Sequence, residues 1–321
     1  MKHFRFSPDP MTMMLLGMIA LASFFPATGA YALAFDRLST LMIAVLFFMH
    51  GARLSREAVV AGMMHWRLHL LVLGITFVLF PVLGLVLRPV LEPLVTPEIY
   101  LGILYLCVLP STVQSSIAFT SVARGNVSAA VCSASASNIL GIFITPVLVS
   151  LIVKSGSGVP FSWEPVLKIV VQLLLPFVAG QLLRPLIRQW VDRWSGALKK
   201  LDQSSILLVV YVAFGEAVVQ GIWQRVPLTM LLVILMISAL LLTIIMLATT
   251  YGSRRLGFSK EDEITIVFCG SKKSLASGVP MAKVLFAGGS AGLVLLPIML
   301  FHQLQLMVCT VLAQRYANRK S

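Results

Sequence analysis

The chain has 321 residues, of which 58% are hydrophobic and 12% charged, and its formal net charge is +13. A soluble domain carries about a quarter of charged residues because its surface faces water, so the composition excludes an ordinary soluble protein. No Lys/Arg-rich stretch carries interleaved aromatic residues, so the basic excess indicates cytoplasmic loops and no nucleic-acid partner. The four cysteines are widely spaced within apolar runs, which predicts no disulfide framework, no metal site and no cofactor.

The first apolar run, Met11–Phe25, follows Lys2 and Arg5 and precedes small residues, a pattern shared with cleavable leader peptides. We predict a first membrane helix instead, because many runs of about 15 to 25 apolar residues follow, the length that crosses a hydrocarbon layer. The breakers between these runs divide the chain into ten predicted spans. In chain order the spans are 11–25, 38–50, 68–87, 99–121, 127–153, 166–183, 204–221, 227–250, 263–285 and 289–313.

The distribution of Lys and Arg tests this division. With the N-terminus inside, the inner segments hold 17 of these residues and the outer segments hold 6, while Lys272 and Lys273 lie within span nine. Cytoplasmic loops retain Lys and Arg, so both termini are predicted to be cytoplasmic. The segment Arg53–His69 is basic and mildly amphipathic, which is typical of a helix lying along the inner surface.

The two halves of the chain correspond. The polar run Ser111–Ser116 in span four falls about 160 residues before Gly270–Ser274 in span nine. Five spans per half is an odd number, so the second half is predicted to lie inverted, and matching interrupted segments in inverted halves mark a transporter's binding site. The predicted fold is therefore an all-α membrane protein, a single membrane-embedded unit with repeats at 1–154 and 155–321.

Span four contains Pro110 followed by a cluster of hydroxyl and amide side chains, a poor sequence for a lipid-facing helix. These side chains are Ser111, Thr112, Gln114, Ser115 and Ser116. Because Pro110 removes a backbone donor, we predict a broken helix whose ends and side chains bind substrate or ion. The alternative is a kinked helix in which Ser and Thr bond back to their own backbone.

Span nine contains Gly270, Ser271, Lys272 and Lys273 between apolar segments. A charge near the bilayer centre costs about 3 kcal/mol or more, so such residues usually face a cavity or a partner. Adjacent residues of a continuous helix point about 100° apart, so the lysines are predicted to share one cavity only if the helix breaks. The alternative is that the span starts later and both lysines snorkel to an interface.

Further polar side chains fall inside apolar runs. Glu216 in span seven either pairs with a lysine of span nine or carries a proton, or else it lies near the outer end of its span. His302 and Gln303 in span ten are candidates for the site. Gln172 and Asn138 are more typical of interhelical hydrogen bonds, and Ala129, Ser133 and Ser137 form a small-residue stripe typical of helix packing.

Taken together, these residues resemble the bile acid:sodium symporter superfamily over almost the whole chain, nearest to a bacterial branch related to the vertebrate sodium/bile acid cotransporter 7. The motifs are Ala123-Arg124-Gly125-Asn126-Val127, Thr145-Pro146, the polar run of span nine and His302-Gln303. The resemblance implies a panel and a core domain, with broken helices four and nine crossing in the core and the substrate between the domains. It also implies a multi-pass protein of a bacterial inner membrane.

The chain departs from the sodium-site pattern that the resemblance implies. Ser116 matches the Ser of the family's Ser-Asn pair, but Ile117 replaces the amide and Thr76 replaces a Gln of the third helix. The family's Glu and Gln of helix nine are replaced by Phe268 or Val267 and by Ser271 or Lys272. Sodium needs several oxygen ligands and usually an anionic one, so Lys272 or Lys273 is predicted to stand in for the metal cation.

The predicted function is secondary transport of a small organic anion, by a monomer or a homodimer in the lipid bilayer, with sodium or a proton as coupling ion. The site would join the polar residues of span four with Gly270, Ser271, Lys272 and Lys273, with His302 and Gln303 alongside. An alternative is a non-transporting membrane regulator or scaffold with a relic site. No HExxH, GxSxG or paired aspartates are present, so an enzyme is not predicted.

Overall fold

The computed structural model describes residues 10–53, 65–155, 170–286 and 291–319, and every regular element within these ranges is a helix. The predicted all-α class is confirmed. The principal helices are α1 (Pro10–Phe24), α2 (Gly29–Arg53), α3 (Trp66–Val86), α4 (Pro97–Val108), α5 (Gln114–Val122), α6 (Val127–Ser155), α7 (Leu175–Arg193), α8 (Ser195–Val219), α9 (Leu228–Arg255), α10 (Lys260–Gly270), α11 (Leu275–Leu285) and α12 (Ala291–Ala317).

Six of these helices are long and apolar enough to cross a membrane, namely α2, α3, α6, α8, α9 and α12. Helices α1 and α4 contain shorter apolar segments, Met13–Phe24 and Pro97–Val108. The count of ten spans, the inverted repeat and the panel and core domains stay predictions. Most of the predicted amphipathic segment Arg53–His69 lies outside the described residues.

Two helices are longer than their apolar runs indicate, and each added segment contains a carboxylate in an ion pair. Helix α2 begins at Gly29 and not at Leu38, and Asp36 within it pairs with Lys283 of α11 at 2.8 Å. Helix α8 begins at Ser195 and not at Ser204, and Asp202 within it pairs with Arg53 of α2 at 2.5 Å. A charged side chain that finds a partner does not end a membrane helix.

Helices α2 and α7 cross at their closest approach through two glycines. A Cβ on Gly51 would lie 2.0 Å from the carbonyl oxygen of Phe177, and a Cβ on Gly180 would lie 1.9 Å from that of Phe48. Small residues at such crossings let two helix backbones approach closely. The pair α2–α7 is thereby fixed as one unit beside the site.

The motif around Asn126 fixes the start of α6 against α10. The Asn126 side chain accepts a hydrogen bond from the Ala129 amide at 3.1 Å and donates one to Asp262 at 2.9 Å. Thr265 donates to the Asn126 carbonyl at 3.0 Å. A Cβ on Gly125 would lie 2.6 Å from the Ile264 side chain, so the close approach of this loop to α10 requires glycine.

Candidate functional site

Helical structure is interrupted at two places that lie side by side. Helix α4 ends at Val108 and α5 begins at Gln114, while α10 ends at Gly270 and α11 begins at Leu275. The first break follows from Pro110, which has no N–H to continue the helix. The backbone joins the two breaks, because the Ser274 amide donates to the Pro110 carbonyl at 2.8 Å.

Hydroxyl groups satisfy the carbonyls that α10 leaves free at its C-terminal end. Ser111 donates to the Cys269 carbonyl at 2.5 Å, and Ser116 donates to the Phe268 carbonyl at 3.0 Å. The last carbonyls of a helix have no partner within it, so the Ser111 and Ser116 hydroxyls supply the missing donors in a place without solvent. Ser271 bonds back to the Val267 carbonyl at 2.6 Å, which also accepts from the Ser271 amide.

The Lys273 ammonium is enclosed by backbone oxygens. Its Nζ atom donates to the carbonyls of Thr76, Cys107 and Leu109, each at 2.8 Å, and lies 4.0 Å from the centre of the Phe80 ring. Lys273 is 1% exposed. An ammonium has three donors, so these three carbonyls use all of the donors of Lys273.

Local structure explains why the Thr76 carbonyl is available. Residues Ile75–Leu79 form a π-helical turn in which the Phe80 amide donates to the Ile75 carbonyl. The next possible donor along the helix is residue 81, a proline with no N–H. The π-turn and Pro81 together leave the Thr76 carbonyl without a helical partner, and Lys273 fills that place.

The Cys107 carbonyl is free for a similar reason. Three residues on, Pro110 has no N–H, and four residues on, the Ser111 amide donates to the Ser137 hydroxyl at 3.0 Å. The intervening Val108 carbonyl accepts from the Thr145 hydroxyl at 2.8 Å. The end of α4 therefore presents its carbonyls to Thr145 of α6 and to Lys273 of the second break.

Gln305 of α12 fixes the backbone at the second break. Its Oε1 accepts from the Lys273 amide at 2.9 Å and its Nε2 donates to the Lys273 carbonyl at 3.0 Å. The His302 ring lies one helical turn away, with Nδ1 2.9 Å from Nε2 of Gln305. The fully buried Gln305 side chain thus supplies the hydrogen bonds that the Lys273 backbone would otherwise make within a continuous helix.

Lys272 points away from Lys273 towards aromatic rings. Its Nζ donates to the Ser115 carbonyl at 2.8 Å and lies 4.0 Å from the Phe119 ring centre and 5.4 Å from that of Phe268. The residue is fully buried. Among the described residues no carboxylate pairs with either lysine, so both charges are stabilised only by carbonyl dipoles and ring faces.

A cavity of about 650 Å³ lies between the two breaks and the helices α1, α2, α7 and α8. The residues of the breaks and of α12 that line it include Thr112, Gln114, Ser115, Ser274 and His302. The facing helices contribute His50, Arg53, Asp202 and Gln203, and α6 contributes Ser135 and Asn138. Asn138 also joins α6 to α11 by accepting from the Ser277 hydroxyl at 2.7 Å.

The predicted site residues occupy three kinds of position. Thr112, Gln114, Ser115 and His302 line the cavity. Those packed into the protein interior are Ser111, Ser116, Gly270, Ser271, Lys272 and Lys273. The polar groups of the two breaks therefore contact each other directly, whereas the sequence analysis has them facing each other across a site, with both lysines in one cavity.

The two remaining candidates lie elsewhere. Gln303 is half-buried on α12 and does not line the cavity. Glu216 is exposed on the last turn of α8, where Asp36 and Lys283 are its electrostatic neighbours. Neither lysine of the break donates a hydrogen bond to Glu216 in the described part of the chain. This is the arrangement expected for a residue near the end of its span.

Four residues at or beside the cavity are not among the predicted site residues, namely Gln305, His50, Arg53 and Asp202. Gln303 and Gln305 lie on different faces of the same helix. Because this helix is largely apolar, its sequence does not show which face points towards the second break. Arg53 and Asp202 fall in polar segments at span ends, where charges are typical of loops. Their pairing across 149 residues of sequence has no local signal.

Comparison with known proteins identifies the family. Residues 9–318 match the SBF-like CPA transporter family. The chain is 57% identical over 319 residues to YfeH of Escherichia coli (strain K12), which is named as a candidate symporter, covering 99% of this chain and 96% of that protein. It is 58% identical over 316 residues to an uncharacterised Pseudomonas aeruginosa protein, covering 98% and 95% of the two chains.

A more distant relative carries the name that the motifs suggest. The chain is 28% identical over 277 residues to the sodium/bile acid cotransporter 7 of Rattus norvegicus, covering 85% of this chain and 81% of that protein. The relatives with a named activity are transporters and not enzymes. With the match to almost the full length, the chain belongs to the SBF-like CPA transporter family and is a multi-pass membrane transporter.

Proposed function

We propose that this transporter carries small organic anions across a bacterial inner membrane, with the ammonium groups of Lys272 and Lys273 in place of a coupling sodium ion. One observation carries the proposal. Two buried ammonium groups without a described carboxylate partner lie beside the cavity, and Lys272 bonds the carbonyl of Ser115, which itself lines the cavity. The cavity is therefore bounded by uncompensated positive charge.

The helix ends reinforce this potential. The first residues of α5 and α11, Gln114 and Leu275, both line the cavity. The N-terminal end of a helix carries a partial positive charge and free N–H groups, and both favour a bound anion. Thr112, Ser115 and His302 add hydrogen-bonding groups on the same wall. An anionic group with several acceptor oxygens, such as a carboxylate or a sulfate ester, fits this set of donors.

The three carbonyls around Lys273 support the replacement of sodium. Backbone carbonyls coordinate metal cations, and here the Lys273 ammonium occupies such a position, 2.8 Å from each of three carbonyl oxygens. A lysine ammonium is a compact point charge on a flexible stem, so it substitutes for a small monovalent cation. The charge is held covalently, so the site does not depend on sodium binding.

The remaining features of the proposal concern architecture. We place both termini in the cytoplasm, treat 1–154 and 155–321 as inverted repeats within one membrane unit, and expect a monomer or a homodimer. The substrate would enter the cavity between α2, α7 and α8 on one side and the two breaks on the other. Alternating access would then move one group of helices against the other.

The experiment is thermal unfolding of the purified protein with taurocholate, benzoate or 4-nitrophenyl sulfate, in sodium and in choline buffers. We expect at least one anion to raise the unfolding midpoint equally in both buffers. Gln114→Ala should weaken that shift without changing the unliganded midpoint, because the Gln114 side chain is exposed and lines the cavity. A shift that requires sodium would contradict the replacement of sodium by lysine.

An uptake assay separates transport from the alternative of a non-transporting regulator or scaffold. In proteoliposomes, uptake of the stabilising anion should be lost in Lys272→Ala and in Lys273→Ala. If no anion stabilises the protein and substitution of Lys272 or Gln114 leaves its physiological phenotype unchanged, the alternative replaces the proposed transport function.

A further inference from the structure

Arg53 and Asp202 form an ion pair at the wall of the cavity, opposite the helix breaks. Nη1 of Arg53 lies 2.5 Å from Oδ2 of Asp202, and both residues line the cavity. The second terminal nitrogen of the guanidinium and the second oxygen of the carboxylate make no hydrogen bond among the described residues. These atoms, Nη2 of Arg53 and Oδ1 of Asp202, are buried.

This half-paired state is unusual for an arginine and a carboxylate. Guanidinium and carboxylate groups normally form two parallel hydrogen bonds, and a buried polar atom without a partner is destabilising. The free donor of Arg53 and the free acceptor of Asp202 both belong to groups at the cavity wall. A ligand that offers an anionic oxygen to Arg53 and a proton to Asp202 would satisfy both.

The surroundings contain few competing charges. From α2, His50 lines the same cavity one turn before Arg53. Helix α1 carries no ionisable side chain in its described length, and His302 of α12 lies across the cavity. The charged side chains of α7 are outside the cavity lining, and on α8 itself Lys200 is exposed; those of α7 are Arg184, Arg188, Asp192 and Arg193.

We propose that Arg53 and Asp202 are the site of anion–proton coupling, an inference that rests on the proposed anion transport. An oxygen of the anion takes the place of the Asp202 carboxylate at the Arg53 guanidinium. Asp202, without its cationic partner, binds a proton from solution on the released carboxylate. One proton and one anion thus bind together, and both leave when the Arg53–Asp202 pair forms again.

The exchange has a definite charge balance. The empty pair is neutral, and the loaded site holds Arg53 with its anion and a neutral Asp202, so it is neutral as well. A monovalent anion would therefore cross with one proton and no net charge. Lys272 and Lys273 take no part in this exchange, because the described hydrogen bonds of their ammonium groups go to backbone carbonyls and not to Asp202.

The experiment measures the dissociation constants of taurocholate, benzoate and 4-nitrophenyl sulfate for the purified full-length protein between pH 5.5 and 8. If each anion binds together with one proton, the dissociation constant rises about tenfold per pH unit. We expect this slope in the wild type, its loss in Asp202→Asn, and at least a tenfold weaker affinity in Arg53→Gln. Asp202→Glu should keep the slope.

The exposed pair on α7 provides matched controls. Arg188→Gln and Asp192→Asn remove the same chemical groups from a pair separated by 3.8 Å outside the cavity lining, so both should keep the wild-type affinity and slope. Unfolding midpoints without ligand identify any variant that fails to fold, and in that case the comparison of Asp202→Glu with wild type decides.

The outcomes separate this inference from the proposed function. Anion binding with no pH slope, a slope that persists in Asp202→Asn, or full affinity in Arg53→Gln would overturn the coupling role and leave anion transport standing. If none of the three anions binds the wild type at any pH, the proposed function fails, and the coupling role fails with it.

Discussion

Replacement of Lys273 by methionine tests the idea that this lysine holds the fold as a coordinated cation. Methionine is similar in length and flexible, so it fills the space without a donor. The carbonyls of Thr76, Cys107 and Leu109 would each lose a hydrogen bond of 2.8 Å. Water cannot replace these bonds easily, because residue 273 is only 1% exposed. The Thr76 and Cys107 carbonyls have no helical donor at the positions of Pro81 and Pro110.

The magnitude follows from two opposing effects. A buried carbonyl left without a partner costs about 1 to 3 kcal/mol, so three carbonyls cost roughly 3 to 9 kcal/mol. Removal of the ammonium also removes its desolvation penalty, which is several kcal/mol for a buried ion. We therefore expect Lys273→Met to lower the free energy of unfolding by about 2 to 5 kcal/mol, and the unfolding midpoint by roughly 5 to 10 °C.

Lys272→Met is the matched comparison. Lys272 donates one described hydrogen bond, to the Ser115 carbonyl, and otherwise contacts the Phe119 and Phe268 rings. A thioether packs well against aromatic rings, so the expected loss is about 1 kcal/mol or less. Thermal scanning fluorimetry of both variants in the same detergent gives the comparison. Equal losses of stability in the two variants, or a Lys273→Met variant as stable as wild type, would refute a structural role for the three hydrogen bonds of Lys273.

Three further substitutions test other contacts by the same fluorimetric measurement. Gln305→Leu removes the reciprocal pair with the second break, and we expect a loss of about 2 to 4 kcal/mol; an unchanged midpoint would show that the break needs no side-chain partner. Gly180→Ala places a Cβ 1.9 Å from a backbone oxygen of α2 and should cost about 3 kcal/mol or more, whereas Gly17→Ala, with nothing within 4 Å, should cost none. Lys283→Met breaks the pair with Asp36, whose side chain is 45% exposed, so we expect less than about 1 kcal/mol; a larger loss would mean that the pair is more shielded than its exposure indicates.

The interruptions of the helices are predictable from the sequence because their causes are local. Pro110 lacks an N–H, and the polar run after it is incompatible with lipid. The pair Lys272-Lys273 is too costly within a continuous apolar helix. These signals need no knowledge of distant residues. The breaks themselves, at Leu109–Val113 and at Ser271–Ser274, overlap the two polar runs.

The direction in which the polar groups point is not predictable in the same way. The sequence indicates that Lys272 and Lys273 need partners, but those partners are backbone carbonyls of α3, α4 and α5, which have no sequence signature of their own. The Thr76 carbonyl is available only because a π-turn shifts the hydrogen bond of Phe80. Helical phase then decides between Gln303 and Gln305, and only the packed structure sets that phase.

The same contacts explain why coupling, as we propose it, belongs to Arg53 and Asp202 and not to the lysines. Lys273 uses all three of its donors on carbonyls of α3 and of the end of α4, so loss of its proton would leave at least one of these oxygens without a donor. Arg53 and Asp202 line the cavity, and each has one buried side-chain atom without a hydrogen-bond partner among the described residues. As we propose it, this half-used pair is where binding of an anion changes the affinity for a proton.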